Sequence, residues 1–175
     1  LRRQRQMCIR DSFKIEGRAR GPEYVRTVTA AYNEALIAIA EGHWEEASCS
    51  AWDERLATVF NRGFWDGYYL GTPVAELTDG YGSKATERKV FTGQCLSYYS
   101  KAGVGYFRIQ AGELKEGDKV IITGPTTGAV PVEVQGLRVN DQPGTVAKKG
   151  DEVTFKVSEK IRTHDKLYRM EKADR

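Results

Sequence analysis

Between Pro22 and Gly42 the apolar residues Val25, Val28, Tyr32, Ala35, Leu36 and Ile39 recur at intervals of three and four, which predicts one amphipathic helix. Pro22 suits its first turn, where the missing N–H has no partner to lose, and Gly42 suits its end. A second helix is expected further on: Ser50 stands three residues before Asp53 in a capping arrangement, Trp52, Leu56, Val59 and Phe60 form a stripe, and Gly63 closes it. Upstream, Phe13-Lys14-Ile15-Glu16 alternates apolar with polar and stops at Gly17, the pattern of a short strand. Residues 71–88 carry Gly71, Pro73, Gly80 and Gly82 with little periodicity and read as a linker. Beyond them the period changes to short β-branched and aromatic runs: Val90 to Tyr99, Gly105 to Ile109, Lys119 to Thr123, Val130 to Val139, Glu152 to Val157 and Lys166 to Met170. The expected fold is therefore α+β. A strand and two helices over 13–70 precede a small antiparallel β-barrel over 89–170.

Two turns in the second half repeat one another, Lys115-Glu116-Gly117-Asp118 and Lys148-Lys149-Gly150-Asp151, each placing Gly-Asp before a strand. Glycine there permits a positive φ, and the aspartate can bond the turn amides. Thr163-His164-Asp165 is a weaker echo.

The formal charge of +3 raises the question of a nucleic-acid partner, but all of it resides in residues 1–12. The remainder balances 23 basic against 23 acidic residues. That aperiodic arginine- and glutamine-rich stretch is set aside as a non-native tail, a basic RNA-binding arm being the alternative. The chain opens on Leu1 and its first methionine is Met7, so a truncated reading frame is expected. Cys8, Cys49 and Cys95 are widely spaced, with only His43 and His164 as imidazole partners, so no metal site is read. The odd cysteine count points to a reducing, cytoplasmic setting, and no run is long and apolar enough for a membrane span.

Lys14, Glu16, Arg18 and Arg20 place alternating charges where a strand turns into a helix, a position at which α/β folds assemble active sites. With Phe13 and Ile15 on one layer, Lys14 and Glu16 would project into a barrel interior and Arg18 would stand at the rim to grip a carboxylate or phosphate. The competing reading is a solvated strand edge with one surface ion pair, which composition alone favours. Asn61-Arg62-Gly63-Phe64 with Gly67-Tyr68-Tyr69 is a second candidate, in which Arg62 binds an anion; a plain helix C-cap with core aromatics is the alternative. Tyr98, Tyr99, Tyr106 and Phe107 would be a base-stacking platform or ordinary core. Neither histidine has a partner at a hydrolytic spacing.

Phe13-Lys14-Ile15-Glu16-Gly17-Arg18, then Pro22-Glu23-Tyr24-Val25 and Ala31-Tyr32, resembles the collagenase-like peptidase family, family 32 of the peptidases of unknown catalytic type. Asn61-Arg62-Gly63-Phe64 with Gly67-Tyr68 is similar to the segment that precedes that family's C-terminal barrel. The second half resembles domain two of translation elongation factors through its Gly-Asp turns. The resemblance implies that residues 13–70 are the remnant of a β/α barrel whose greater part lies upstream. Lys14, Glu16 and Arg18 would be its catalytic residues, and Arg20, Tyr24, Asn61 and Arg62 would bind substrate. Some family members are named collagenase-like proteases; others hydroxylate bases of transfer or ribosomal RNA with an iron–sulfur cluster and prephenate. The expectation is the RNA-modifying role for the parent, with a peptidase acting on peptides as one alternative. An RNA- or protein-docking β module without catalysis is another. The cluster ligands would lie upstream, no cofactor is expected in this segment, and the segment alone should be inactive.

Overall fold

The computed structural model describes residues 14–64 and 82–173. Helix α1 runs Pro22–Ala40 with proline at its start, and the backbone N–H groups of Glu41, Gly42 and His43 bond back to Ile37, Ile39 and Ala38 through Gly42 at φ 73°. Helix α2 runs Glu46–Ala57. It starts earlier than the Ser50–Asp53 pattern indicates, so Ser50 lies inside the helix and caps nothing. The expected strand at residues 13–16 is corrected as well: residues 14–17 are irregular, and Phe13 lies outside the described residues. Two apolar residues cannot hold a strand without a neighbour to complete its ladder.

The buried face of α1 also differs from the expected stripe. Val28, Ala31 and Ala38 are buried, whereas Val25, Tyr32, Leu36 and Ile39 are exposed. Small side chains let the helix approach its neighbours closely, and those neighbours lie on the alanine side.

Among the described residues ten strands follow: β1 (Glu87–Tyr99), β2 (Val104–Ile109), β3 (Glu113–Lys115), β4 (Lys119–Gly124), β5 (Gly128–Glu133), β6 (Arg138–Val139), β7 (Gln142–Pro143), β8 (Val146–Lys148), β9 (Glu152–Lys156) and β10 (Lys166–Lys172). Eight form an antiparallel sheet in the order β5-β4-β10-β1-β2-β9-β6-β7, and β3 pairs with β8 in a separate ribbon. Strand β1 is shared between the two halves. Its first part pairs with β10 and its last part with β2, with register shifts at Phe91/Gly93 and Cys95/Ser97 that bend it. Gly93 is needed at that bend, because a Cβ there would stand 2.4 Å from the Arg108 carbonyl oxygen.

The sheet curls round one core but does not close, which corrects the expected barrel. The reason lies at Gln135-Gly136-Leu137. Gln135 still accepts one bond from Lys156 of β9 (3.2 Å), but Gly136 then takes φ 70°, and the N–H groups of Gly136 and Leu137 both bond the Glu116 carboxylate at 2.8 Å. The run expected as one strand from Val130 to Val139 is thereby split into β5 and β6, and the edges β5 and β7 remain unpaired with each other. Core side chains come from both sheets and their loops, with Phe107 stacked on Phe155 at 4.7 Å between ring centroids.

The three turn echoes prove to be one structure. In each, the aspartate carboxylate accepts the N–H three residues back at 2.8 Å: Asp118 from Lys115, Asp151 from Lys148 and Asp165 from Arg162. The residue before the aspartate has positive φ, Gly117 at 84°, Gly150 at 100° and His164 at 73°. Asp165 differs in being buried; it accepts a further bond from Thr127 Oγ1 (2.6 Å), as Asp151 does from Asn140 Nδ2 (2.9 Å).

The helices join the sheet through a few polar contacts. Arg26 donates to the Ala129 carbonyl (2.6 Å) and pairs with Glu159 (3.0 Å), Lys89 pairs with Glu23 (2.6 Å), and the N–H of Thr86 bonds Ala57 O (2.9 Å). Most of the expected linker lies outside the described residues, and β1 begins at Glu87, within its stated end.

Candidate functional site

The segment before α1 is shaped by its own polar groups. Glu16 Oε1 accepts the Arg18 N–H (2.8 Å), and the Arg20 N–H bonds Gly17 O (3.0 Å), which folds the chain into a turn aimed at the start of α1. At the far end of α2, Asn61 does the same. Its Nδ2 donates to Ala57 O (3.3 Å) and Val59 O (3.0 Å), its Oδ1 accepts from Gly63 N (3.1 Å), and its carbonyl accepts from Lys84 N (2.7 Å). These bonds satisfy carbonyls at the helix end and carry Arg62 back toward the turn.

Between the two lies a cleft of about 750 Å³, lined by Glu16, Arg18, Arg20, Tyr24, Asn61 and Arg62 over a floor that includes Val59 and Phe60. Six of the seven expected site residues thus share one concavity although the chain separates them by up to 46 positions. Lys14 does not line it. Its ammonium lies 3.9 Å from Glu16 Oε2 with 88% of the side chain exposed. The expected barrel interior around Lys14 and Glu16 is therefore absent among the described residues, since no second layer faces them.

Three arginines against one glutamate make the cleft cationic. Arg20 lies flat on Phe60, its guanidinium carbon 3.5 Å from the ring centroid, and donates to Ala19 O at 3.2 Å. Arg18 and Arg62 are exposed, and among the described residues their guanidinium groups have no ionic or hydrogen-bonding partner. An anion can thus be met by two planar forks without first breaking an internal pair. Asn61 is a correction of role: its amide is already used by the backbone, so it positions Arg62 and has little left to offer a ligand. Phe60, which holds Arg20 in place, was legible only as an apolar residue of the second helix. Gly67, Tyr68 and Tyr69 lie outside the described residues.

Of the two readings of the sheet aromatics, the stacking platform is not assembled. Phe107 is fully buried, Tyr98 donates to Val157 O (3.1 Å), and Tyr106 bonds Glu152, leaving Tyr99 half-exposed beside Tyr106. No group of three or more histidine, cysteine, aspartate or glutamate side chains stands close enough to hold a metal among the described residues. Cys95 is a poor cluster ligand: burial first, then the nearby Asp165 charge, pushes its thiol up to about 11, and its Sγ donates to Ser97 O. An iron–sulfur cluster therefore does not fit the described cysteines, Cys49 and Cys95.

Residues 7–79 match the model of Peptidase family U32. Over 162 residues the chain is 51% identical to a collagenase of Porphyromonas gingivalis strain W83, covering 93% of this chain and 39% of that protein. Over 165 residues it is 32% identical to an uncharacterized protease of Methanocaldococcus jannaschii, covering 93% and 40%. The chain thus spans well under half the length of these relatives. A crystal structure of the C-terminal domain of a Geobacillus thermoleovorans U32 peptidase matches 46% of this chain and 91% of that one, at 20% identity and a TM-score of 0.43. No helix among the described residues is long and apolar enough to cross a membrane.

Proposed function

We propose that this chain is part of a collagenase-like peptidase and that its arginine cleft receives a carboxylate of the peptide substrate. The observation that carries the reading is the placement on one concave surface of Arg18 and Arg62, two guanidinium groups with no partner among the described residues. Each can form two parallel charge-assisted hydrogen bonds to a carboxylate, a geometry that lysine cannot supply. Glu16 sets the turn that presents Arg18, Asn61 sets the one that presents Arg62, and Tyr24 closes the side of the cleft. The protease names of the relatives support a peptide as substrate. No residue of this segment is assigned to bond cleavage itself.

The test is made on the complete parent protein, purified free of other proteases. Gelatin cleavage is expected, and Arg18→Ala should lower kcat/KM by roughly tenfold to a hundredfold, in line with about 1.5–3 kcal/mol for hydrogen bonds to charged groups. Failure to cleave gelatin and other unfolded peptides would retire the peptidase reading.

One alternative keeps the same carboxylate-binding forks but places them in an RNA-modifying parent. In that case the cleft would hold prephenate, itself a dicarboxylate, and an iron–sulfur cluster, supplying redox chemistry when bound, would need ligands from outside this segment. Unchanged hydroxyuridine and hydroxycytidine levels in RNA from cells carrying Arg18→Ala would retire the cleft's part in that alternative.

A further inference from the structure

A second cleft, of about 530 Å³, opens where the helical pair meets the sheet. Such junctions are frequent binding places, and the volume falls in the usual range of ligand sites, roughly 300–1,000 Å³. Val59 and Phe60 line it from the segment after α2, and Ile121 of β4, Val132 of β5 and Met170 of β10 line it from the sheet. The charges around it are already matched. Glu23 and Lys89 pair at 2.6 Å, and the Lys89 ammonium also lies over the Tyr168 ring at 5.1 Å. Lys119 and Glu133 are exposed and stand opposite each other in the β4–β5 register, while Glu87 stands opposite Lys172 in the β1–β10 register. A charged group entering the cleft would lose its water and find each counter-charge engaged. An uncharged apolar group would cover Val59, Ile121, Val132 and Met170 without burying a charge.

The position of this cleft beside the arginine cleft is the second observation. Tyr24, Val59 and Phe60 line both spaces, and Tyr24 and Phe60 are only half-buried, so these side chains form a rim common to the two. Phe60 marks the division, because its ring carries the Arg20 guanidinium on the arginine side, 3.5 Å from the centroid. An extended peptide advances about 3.3–3.6 Å per residue, so one or two residues suffice to cross a rim made of single side chains.

We infer that the apolar cleft receives an uncharged apolar side chain of the same peptide whose carboxylate Arg18 and Arg62 hold. The two clefts are then halves of one site, selective for a peptide with an apolar residue at or next to that carboxylate. This rests on the carboxylate reading of the arginine cleft and adds to it a side-chain preference.

The test titrates the 175-residue chain with two blocked dipeptides that carry a free C-terminal carboxylate, acetyl-Leu-Leu and acetyl-Gly-Gly. NMR follows the methyl groups of Ile121, Val132 and Met170 together with the Nε–Hε signals of Arg18 and Arg62. Acetyl-Leu-Leu should shift both sets with one dissociation constant, about tenfold more tightly than acetyl-Gly-Gly, which should shift the arginines alone. Val132→Trp, which fills the cleft, should bring the two peptides to equal affinity. Equal affinity on the unaltered chain, or arginine shifts without methyl shifts from acetyl-Leu-Leu, overturns the inference and leaves the carboxylate reading in place. Methyl shifts without arginine shifts overturn the sharing of one peptide between the clefts. Arginine signals unmoved by either peptide remove the carboxylate reading and this inference with it. The series on the unaltered chain decides among these outcomes whether or not the variant folds.

Discussion

The sheet and the helical pair are built on opposite terms. Among the described residues, the continuous apolar core lies wholly between Cys95 and Leu167, and its largest side chains, Phe107 and Phe155, are almost wholly removed from water. The helices bury little by comparison: α2 has no buried residue, and α1 buries two alanines and a valine while leaving Leu36 at 46% and Ile39 at 60% exposure. Since burial of apolar area is the main source of stability, the sheet is expected to hold its shape alone, and the helices to be held chiefly by what they touch. Both clefts lie against the helical pair, so the candidate chemistry occupies the less stable half of the molecule.

The largest expected effect tests the first side of that contrast. Phe107→Ala removes a stacked ring from the centre of the core and should cost about 3–5 kcal/mol in urea unfolding followed by tyrosine and tryptophan fluorescence. A loss below about 1 kcal/mol would mean that the sheet does not depend on this core.

Asp165→Ala should come next, at about 2–3 kcal/mol, because it strands the Arg162 N–H and the Thr127 hydroxyl at a buried site. At positions that are only partly buried, Asp118→Ala removes the same turn bond and Asp151→Ala that bond together with one from Asn140 Nδ2, and each should cost about 1 kcal/mol. Equal losses at all three would contradict the role given to burial.

Arg26→Ala breaks the bond to Ala129 and the pair with Glu159 that tie α1 to the sheet. The expected change in global stability is small, about 1 kcal/mol, but amide exchange in α1 should accelerate while that in β1, β2 and β9 stays constant. Uniform acceleration would show that helices and sheet unfold as one unit.

The smallest effect is expected at His164, where a residue with a Cβ occupies the left-handed conformation that glycine fills in the two sister turns. His164→Gly should be neutral to stabilising, by up to about 1 kcal/mol, in thermal unfolding. A clear destabilisation would assign greater weight to its weak contact with Gln94 at 3.5 Å.

What the sequence made legible follows the same division. Pro22 and Gly42 bracketed α1 because each imposes a backbone constraint that needs no tertiary context. The turn aspartates were legible for that reason too, even in the copy that lacks glycine. The face of α1 was not, because large apolar residues at 25, 32, 36 and 39 outweigh the small ones at 28, 31 and 38 in any count of hydrophobicity. The open edge of the sheet was hidden because it depends on Glu116 bonding amides twenty residues away. Strands of two or three residues, such as β3, β7 and β8, carry too little pattern to register. In the site, charge placement brought out Arg18, Arg20 and Arg62, but it could not reveal that Lys14 would face solvent or that the amide of Asn61 would be spent on the backbone.

The central claim, that Arg18 and Arg62 form a carboxylate site, is tested most directly by the Nε–Hε resonances of the arginines in this chain. A blocked dipeptide with a free C-terminal carboxylate should shift the Arg18 and Arg62 signals together while leaving Arg26 in place, and its C-terminal amide should shift neither. Equal shifts with acid and amide, or movement of Arg26 alongside the other two, would contradict the account.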